Sequence, residues 1–198
     1  MKPHWGSMPE RVEPKLLMLS WNQFFDDVAR LAFELDGKNF DALVAVARGG
    51  FVAARLISDI VGVKRVGSLA IEYYKGVNER ASSPRLVGGL GFDVRGLKLL
   101  VVDDVADTGE TLKLAVEYLK SLGAREISSC SVYVKPWCRF KPDYYARVVE
   151  AWVVFPYEHL ETARYLLSKG WTIEQLLETG FYSSILEHLR KSLSCISK

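Results

Sequence analysis

Two adjacent carboxylates, a third carboxylate three residues on and a glycine flanked by hydroxyls make one stretch the chemical centre of this chain. It reads Asp103-Asp104-Val105-Ala106-Asp107-Thr108-Gly109-Glu110-Thr111. Carboxylates are poor phosphate ligands, but they accept hydrogen bonds from a vicinal diol. Thr108 and Thr111 supply hydroxyl donors, and Gly109 lets the backbone approach a ligand without a Cβ. A helix beginning here would turn unpaired N–H groups toward an anion. The pattern suits a phosphorylated sugar, with Asp103 and Asp104 on its hydroxyls and Asp107, Thr108, Gly109, Glu110 and Thr111 around its phosphate. A plain strand end with Asp107 or Thr108 capping a helix explains one of these residues, not the set.

Other residues could assist. Arg48-Gly49-Gly50 combines charge-assisted donors with close backbone approach, which suits a pyrophosphate; alone, it also suits an ordinary strand-to-helix turn. Lys135 ends an apolar run at the same sheet edge, where a surface lysine before a turn is the plain reading. Trp152 alone reads as a core or packing aromatic. Residues 72–95 show little periodicity and read mostly as a long loop, part of it open to a strand or hairpin, with Tyr74, Lys75, Ser82, Ser83 and Arg85 as candidates for a lid.

The elements that must position these groups alternate between strand and helix. Short apolar runs at 42–47, 66–71, 97–102, 126–134 and 151–155 predict five strands. Ser20 and Gln23 form a capping-box pattern ahead of helical spacing from Phe24 to Leu35, and Gly37 marks its stop. Residues 51–60 and 109–122 predict two more helices. Thr172 and Gln175 repeat the capping-box pattern, and 181–193 is amphipathic. Alternation of this kind predicts an α/β protein with a mostly parallel twisted sheet flanked by helices. We expect an irregular arm over 1–15, an α/β core within 1–135, and a fifth strand with C-terminal helices over 136–198, all in a single compact unit.

Residues 99–111 resemble the phosphoribosyl pyrophosphate (PRPP) signature of type I phosphoribosyltransferases: four apolar residues, two acidic, two variable, then Asp-Thr-Gly-x-Thr. The resemblance implies the type I phosphoribosyltransferase fold with a small C-terminal hood or helical appendage. It implies transfer of ribose 5-phosphate from PRPP to a purine base, with magnesium bound alongside the pyrophosphate. Arg48, Gly49 and Gly50 would be the pyrophosphate loop, with a cis bond between Ala47 and Arg48. Asp107 would face N7 of the base as the catalytic carboxylate, and Lys135 would donate to its exocyclic oxygen. Trp152-Val153-Val154-Phe155-Pro156-Tyr157-Glu158 resembles the base segment of xanthine–guanine enzymes, with Trp152 stacking on the purine and Val153 offering backbone groups. Glu158 stands where an aspartate is usual near the metal, with Asp103 and Asp104 reaching that metal through PRPP. Hypoxanthine, guanine or xanthine is the expected base. Adenine, or a PRPP-sensing regulator that binds nucleic acid, is the alternative.

Composition narrows the field. With 198 residues, 49% of them hydrophobic and 25% charged, the chain can bury a core. A net charge of +2 gives no footprint for nucleic acid. No apolar run approaches the roughly 20 residues a bilayer span needs, and residues 1–14 lack the apolar stretch of a signal peptide, so a cytoplasmic enzyme is expected. Three cysteines without paired spacing favour neither disulfides nor zinc. Trp5, Trp21 and Phe181-Tyr182 are candidates for the interface of a homodimer or higher homo-oligomer, and equally for the core.

Overall fold

A computed structural model describes residues 15–74 and 83–196. In chain order the elements are β1 (Leu16–Met18), α1 (Trp21–Leu35), β2 (Ala42–Ala47), α2 (Gly50–Ile60), β3 (Val66–Tyr74), β4 (Ser83–Gly88), β5 (Lys98–Ala106), α3 (Glu110–Ser121), β6 (Glu126–Val134), β7 (Tyr144–Val148), β8 (Trp152–Val154), α4 (His159–Ser168), α5 (Ile173–Glu178) and α6 (Ser183–Ile196). They fall into two compact units. Among the described residues, the first takes in Phe25–Glu150 and the second takes in 15–24 and 151–196.

The first unit is built on a six-stranded sheet of order β4-β3-β2-β5-β6-β7. β3, β2, β5, β6 and β7 run parallel, and β4 is antiparallel to β3. β2 and the first half of β5 are almost wholly apolar because both their faces are covered. On one face, Val44, Val46, Leu99 and Val101 join Leu112, Ala115, Val116 and Leu119 of α3 in a single buried cluster. On the other, α2 packs against β2 and β5 through Ala53, Ala54 and Ile57. Each fully buried leucine or isoleucine in these layers contributes about 1.5–3 kcal/mol relative to exposure.

Local signals set the helix boundaries. The Ser20 backbone N–H donates to Gln23 Oε1 at 2.9 Å and the Gln23 N–H donates to Ser20 Oγ at 3.2 Å, closing the expected capping box of α1. Gly37 and Gly123 take positive φ just past α1 and α3. Inside the first unit, the buried Tyr133 hydroxyl donates to Asp27 Oδ2 at 2.8 Å, and Arg147 pairs with the same oxygen at 3.1 Å. That network ties α1, β6 and β7 together.

Within 72–95 the strand or hairpin that the sequence left open is found: β3 runs on to Tyr74 and pairs with β4, Tyr73 opposite Pro84 and Tyr74 opposite Ser83. Of the lid candidates, Tyr74, Ser83 and Arg85 lie on these strands, while Lys75 and Ser82 lie outside the described residues. Two other expectations change. The strand at 151–155 does not extend the main sheet. As β8 it pairs in parallel with β1, which the sequence reading passed over, and β7 takes the edge of the main sheet. Finally, β5 does not stop at Asp103-Asp104 but continues to Ala106 beside β6. The expected arm lies largely outside the described residues.

The second unit holds the β1–β8 ribbon with α4, α5 and α6. Phe24, Phe155 and Tyr157 pack as one aromatic group, with Phe155 and Tyr157 stacked at 5.2 Å. Thr172 and Gln175 form the capping box that starts α5.

Candidate active site

The site residues gather where β2 and β5 part company. Pairing between these strands ends at Ala45 and Val102, whereas β5 stays paired to β6 through Asp103, Val105 and Ala106. Asp103 and Asp104 therefore occupy the notch beyond the last β2 pair, which in open α/β sheets is the ligand edge. The Asp104 N–H donates to Asp103 Oδ1 at 3.0 Å and the Val105 N–H to Asp104 Oδ1 at 2.7 Å. Both carboxylates are buried, and the charge of Asp103 adds to burial in pushing the neighbouring Cys130 thiol up, so Cys130 stays protonated.

The turn after β2 closes over this notch. The Ala47–Arg48 peptide bond is cis, as the resemblance implies. A Cβ at Gly49 would overlap the Asp104 carboxylate, and one at Gly50 would overlap the Val102 carbonyl. Two glycines are thus required by contact, and their backbone lies directly on the acidic pair. Arg48 sits at the start of this turn, between β2 and α2.

After Ala106 the chain turns into α3. Gly109, at φ +84°, is the residue from which the helix starts, and a Cβ there would overlap the Phe140 carbonyl. Position 109 needs glycine on both counts. The Glu110 N–H donates to Thr108 Oγ1 at 3.3 Å. Asp107 does not cap the helix. Its Oδ1 instead accepts the indole N–H of Trp137 at 2.6 Å. Asp107 and Glu110, both exposed, lie at the two ends of the turn that leads into α3.

The segment following β6 is fastened to this turn. Lys135 N donates to Ala106 O at 3.0 Å, Arg139 N to Thr108 O at 3.0 Å and Phe140 N to Thr108 O at 3.3 Å. Lys135 is buried, 8% exposed, with its ammonium 3.5 Å from the Glu150 carbonyl and 5.7 Å from the Trp137 ring centre. Burial lowers the pKa of this amine, and the negative charge of Asp107 opposes that shift.

The fold thus brings together Arg48, Gly49, Gly50, Asp103, Asp104, residues 107–111 and Lys135, all in the first unit. Trp152, Val153 and Glu158 belong to the second. Trp152 is buried, pairs in register with Leu16 and meets Tyr165 edge-on at 5.2 Å. Val153 is buried opposite Leu17, and Glu158 precedes the first turn of α4. Among the described residues no group of three or more His, Cys, Asp or Glu is arranged to hold a metal. Trp137 was overlooked in the sequence; an aromatic N–H donor two residues past the candidate Lys135 was the available signal.

Comparison with known proteins bears on what this arrangement does. Residues 18–162 match the phosphoribosyl transferase domain. Over 146 residues the chain is 33% identical to the xanthine-guanine phosphoribosyltransferase of Chromohalobacter salexigens, which spans 71% of this chain and 82% of that protein. Over 159 residues it is 30% identical to the enzyme of the same name from Cereibacter sphaeroides, 76% and 92% of the two chains. The crystal structure of a purine phosphoribosyltransferase from Pyrococcus horikoshii superposes with a TM-score of 0.67 at 34% identity, covering 72% of this chain and 93% of that one.

Proposed function

Because this chain belongs to the type I purine phosphoribosyltransferases, we propose that its base is a 6-oxopurine, hypoxanthine, guanine or xanthine, and that the site just described performs the transfer. The observation that supports this choice is the buried ammonium of Lys135, close to Asp107 at the sheet edge. An ammonium only donates hydrogen bonds, so it matches an exocyclic carbonyl oxygen and not the amino group of adenine. The relatives named xanthine-guanine phosphoribosyltransferase agree with that chemistry.

In this reading Asp103 and Asp104 accept the ribose hydroxyls, and residues 107–111 hold the 5-phosphate through amides and the Thr108 and Thr111 hydroxyls. Arg48 and the Gly49-Gly50 backbone hold the pyrophosphate. N9 of the purine attacks C1 of the ribose, and the C1–oxygen electron pair leaves with pyrophosphate. The proton on N7 passes to Asp107, while Lys135 donates to the exocyclic oxygen. Preorganised charge and positioning carry the rate, because little covalent work falls to the protein. Magnesium, when bound with PRPP, would neutralise charge on the leaving pyrophosphate, with Asp103 and Asp104 reaching it through the PRPP hydroxyls. On the sequence pattern alone, Trp152 and Val153 are assigned to the base and Glu158 to the neighbourhood of the metal. Tyr74, Lys75, Ser82, Ser83 and Arg85 are the candidates, on sequence alone, for a lid that would exclude water during transfer.

No helix among the described residues is long and apolar enough to cross a membrane. A cytoplasmic location and a homo-oligomeric state complete the proposal. The exposed Phe25 and Phe33, eight residues apart on α1, support a second copy as partner.

The test is a panel of hypoxanthine, guanine, xanthine and adenine, each incubated with PRPP and magnesium, with pyrophosphate and nucleotide measured. Turnover of 6-oxopurines and not adenine is expected. Turnover of adenine alone overturns the base assignment. No turnover of any base, with salt-dependent binding of DNA or RNA, favours the regulator.

A further inference from the structure

We propose that Trp137 is a positioning residue that holds the Asp107 carboxylate in place for proton transfer at the base. The inference rests on the reading of Asp107 as acceptor of the N7 proton and adds the group that aims it.

Asp107 is exposed and does not cap α3, so its own helix does not fix its rotamer. What fixes it is the 2.6 Å bond from Trp137 Nε1 to Oδ1. Both ends of that bond are anchored. Thr108, next to Asp107, accepts the Arg139 and Phe140 N–H groups through its carbonyl, and the Cys138 N–H donates to Lys135 O across the turn that holds Trp137. The ring is steadied in turn by the Lys135 ammonium near its face. Trp137 is 54% exposed, so core packing contributes little to its presence here.

The chemistry agrees with the geometry. A carboxylate offers two oxygens and about four acceptor sites. A donor on Oδ1 therefore orients the group while Oδ2 stays available for a proton from the base. A tryptophan reaches the carboxylate with only two rotatable side-chain bonds, so it holds the acceptor at small entropic cost. Holding an acceptor in a reactive geometry is worth orders of magnitude in effective concentration.

The experiment compares the wild type, Trp137→Phe, Asp107→Asn and the double variant by steady-state kinetics with PRPP and a 6-oxopurine. Phenylalanine keeps the ring beside Lys135 and removes the N–H. The expected result is a roughly ten-fold lower kcat in Trp137→Phe, an unchanged KM for PRPP within about two-fold, and no further loss when Trp137→Phe is added to Asp107→Asn. Thermal melting of Trp137→Phe should match the wild type, since the position is exposed. If Trp137→Phe turns over normally while Asp107→Asn is impaired, the positioning role is wrong and the reading of Asp107 survives. Equal losses from Trp137→Phe in both backgrounds show that Trp137 acts independently of Asp107 and also overturn it. A normal kcat in Asp107→Asn removes the underlying reading, and the positioning role with it.

Discussion

Gly49 and Asp104 are packed so closely that position 49 has no room for a side chain: a Cβ there would fall on the Asp104 carboxylate. The backbone at Gly49, at φ −54°, is open to any residue, so contact alone demands glycine. This contact seats the turn that would hold pyrophosphate on the carboxylate that would hold ribose.

Gly49→Ala should therefore harm the site more than the fold. The methyl group must displace either the turn or a carboxylate held by the Val105 N–H. Overpacking of this kind costs about 1–3 kcal/mol. We expect kcat/KM for PRPP to fall roughly 10- to 100-fold with a thermal midpoint lowered by a few degrees, both measurable on the purified enzyme. Wild-type efficiency would mean that the turn can move away without consequence.

Tyr133→Phe should do the reverse. The lost hydroxyl is buried and donates to Asp27, whose carboxylate keeps Arg147 at 3.1 Å and Arg30 at 3.7 Å. A hydrogen bond to a buried charged acceptor is worth about 1.5–3 kcal/mol. Urea unfolding should show a loss of that size, while kcat at saturating substrates stays within about two-fold of the wild type. A variant as stable as the parent would show that the Tyr133–Asp27 hydrogen bond contributes nothing net.

How much of this was legible beforehand differs by element. The strand, turn and helix spanning 98–121 could be read because hydrophobic pattern, glycine and hydroxyl chemistry coincide there locally. The same holds for the capping residues Ser20 and Thr172. β4 could be read only as part of a stretch open to a strand or hairpin, because Ser83, Pro84 and Gly88 ordinarily mark loops but are tolerated on a sheet edge. β7 hid because it is short and Arg147 interrupts its Tyr144-Tyr145-Ala146 and Val148 residues, on an edge strand that is largely exposed. The pairing of β8 with β1 joins residues more than a hundred positions apart, which no local window contains. Trp137 was missed for the same reason: its bond to Asp107 spans thirty residues and exists only in the folded chain.

Lys135 gives a pH prediction. Burial lowers the pKa of its amine from 10.5, against a smaller opposing effect of Asp107. Between the lowered value and 10.5 the unfolded chain binds more protons than the folded one, so this group makes stability rise with pH in that window. Its contribution is complete above 10.5 and is lost as pH falls through the folded pKa. Below the folded pKa the folded state therefore holds a buried ammonium at a cost. Lys135→Met should be at least as stable as the wild type at pH 7, and that advantage should shrink as pH rises toward 10.5, while KM for the 6-oxopurine worsens by roughly ten-fold or more. Melting curves from pH 7 to 10 for both proteins check the sign. An advantage that grows with pH would contradict it.

The acidic pair allows the most direct test of the sugar site. Asp103 and Asp104 are buried, and each accepts a backbone N–H through Oδ1. Asparagine at both positions keeps shape and those two acceptors but removes the charges, so gross collapse is not expected. What disappears is charge-assisted bonding to a diol, worth about 1.5–3 kcal/mol per bond against roughly half that for a neutral acceptor. Losing that difference at two positions should weaken PRPP binding roughly 10- to 100-fold by titration calorimetry in the presence of magnesium. Inorganic phosphate competing for the 107–111 turn should be affected far less, because that anion meets amides and hydroxyls, not carboxylates. Equal weakening of PRPP and phosphate would point to general damage at the sheet edge. Unchanged PRPP affinity in the double variant would remove the ribose hydroxyls from Asp103 and Asp104 altogether.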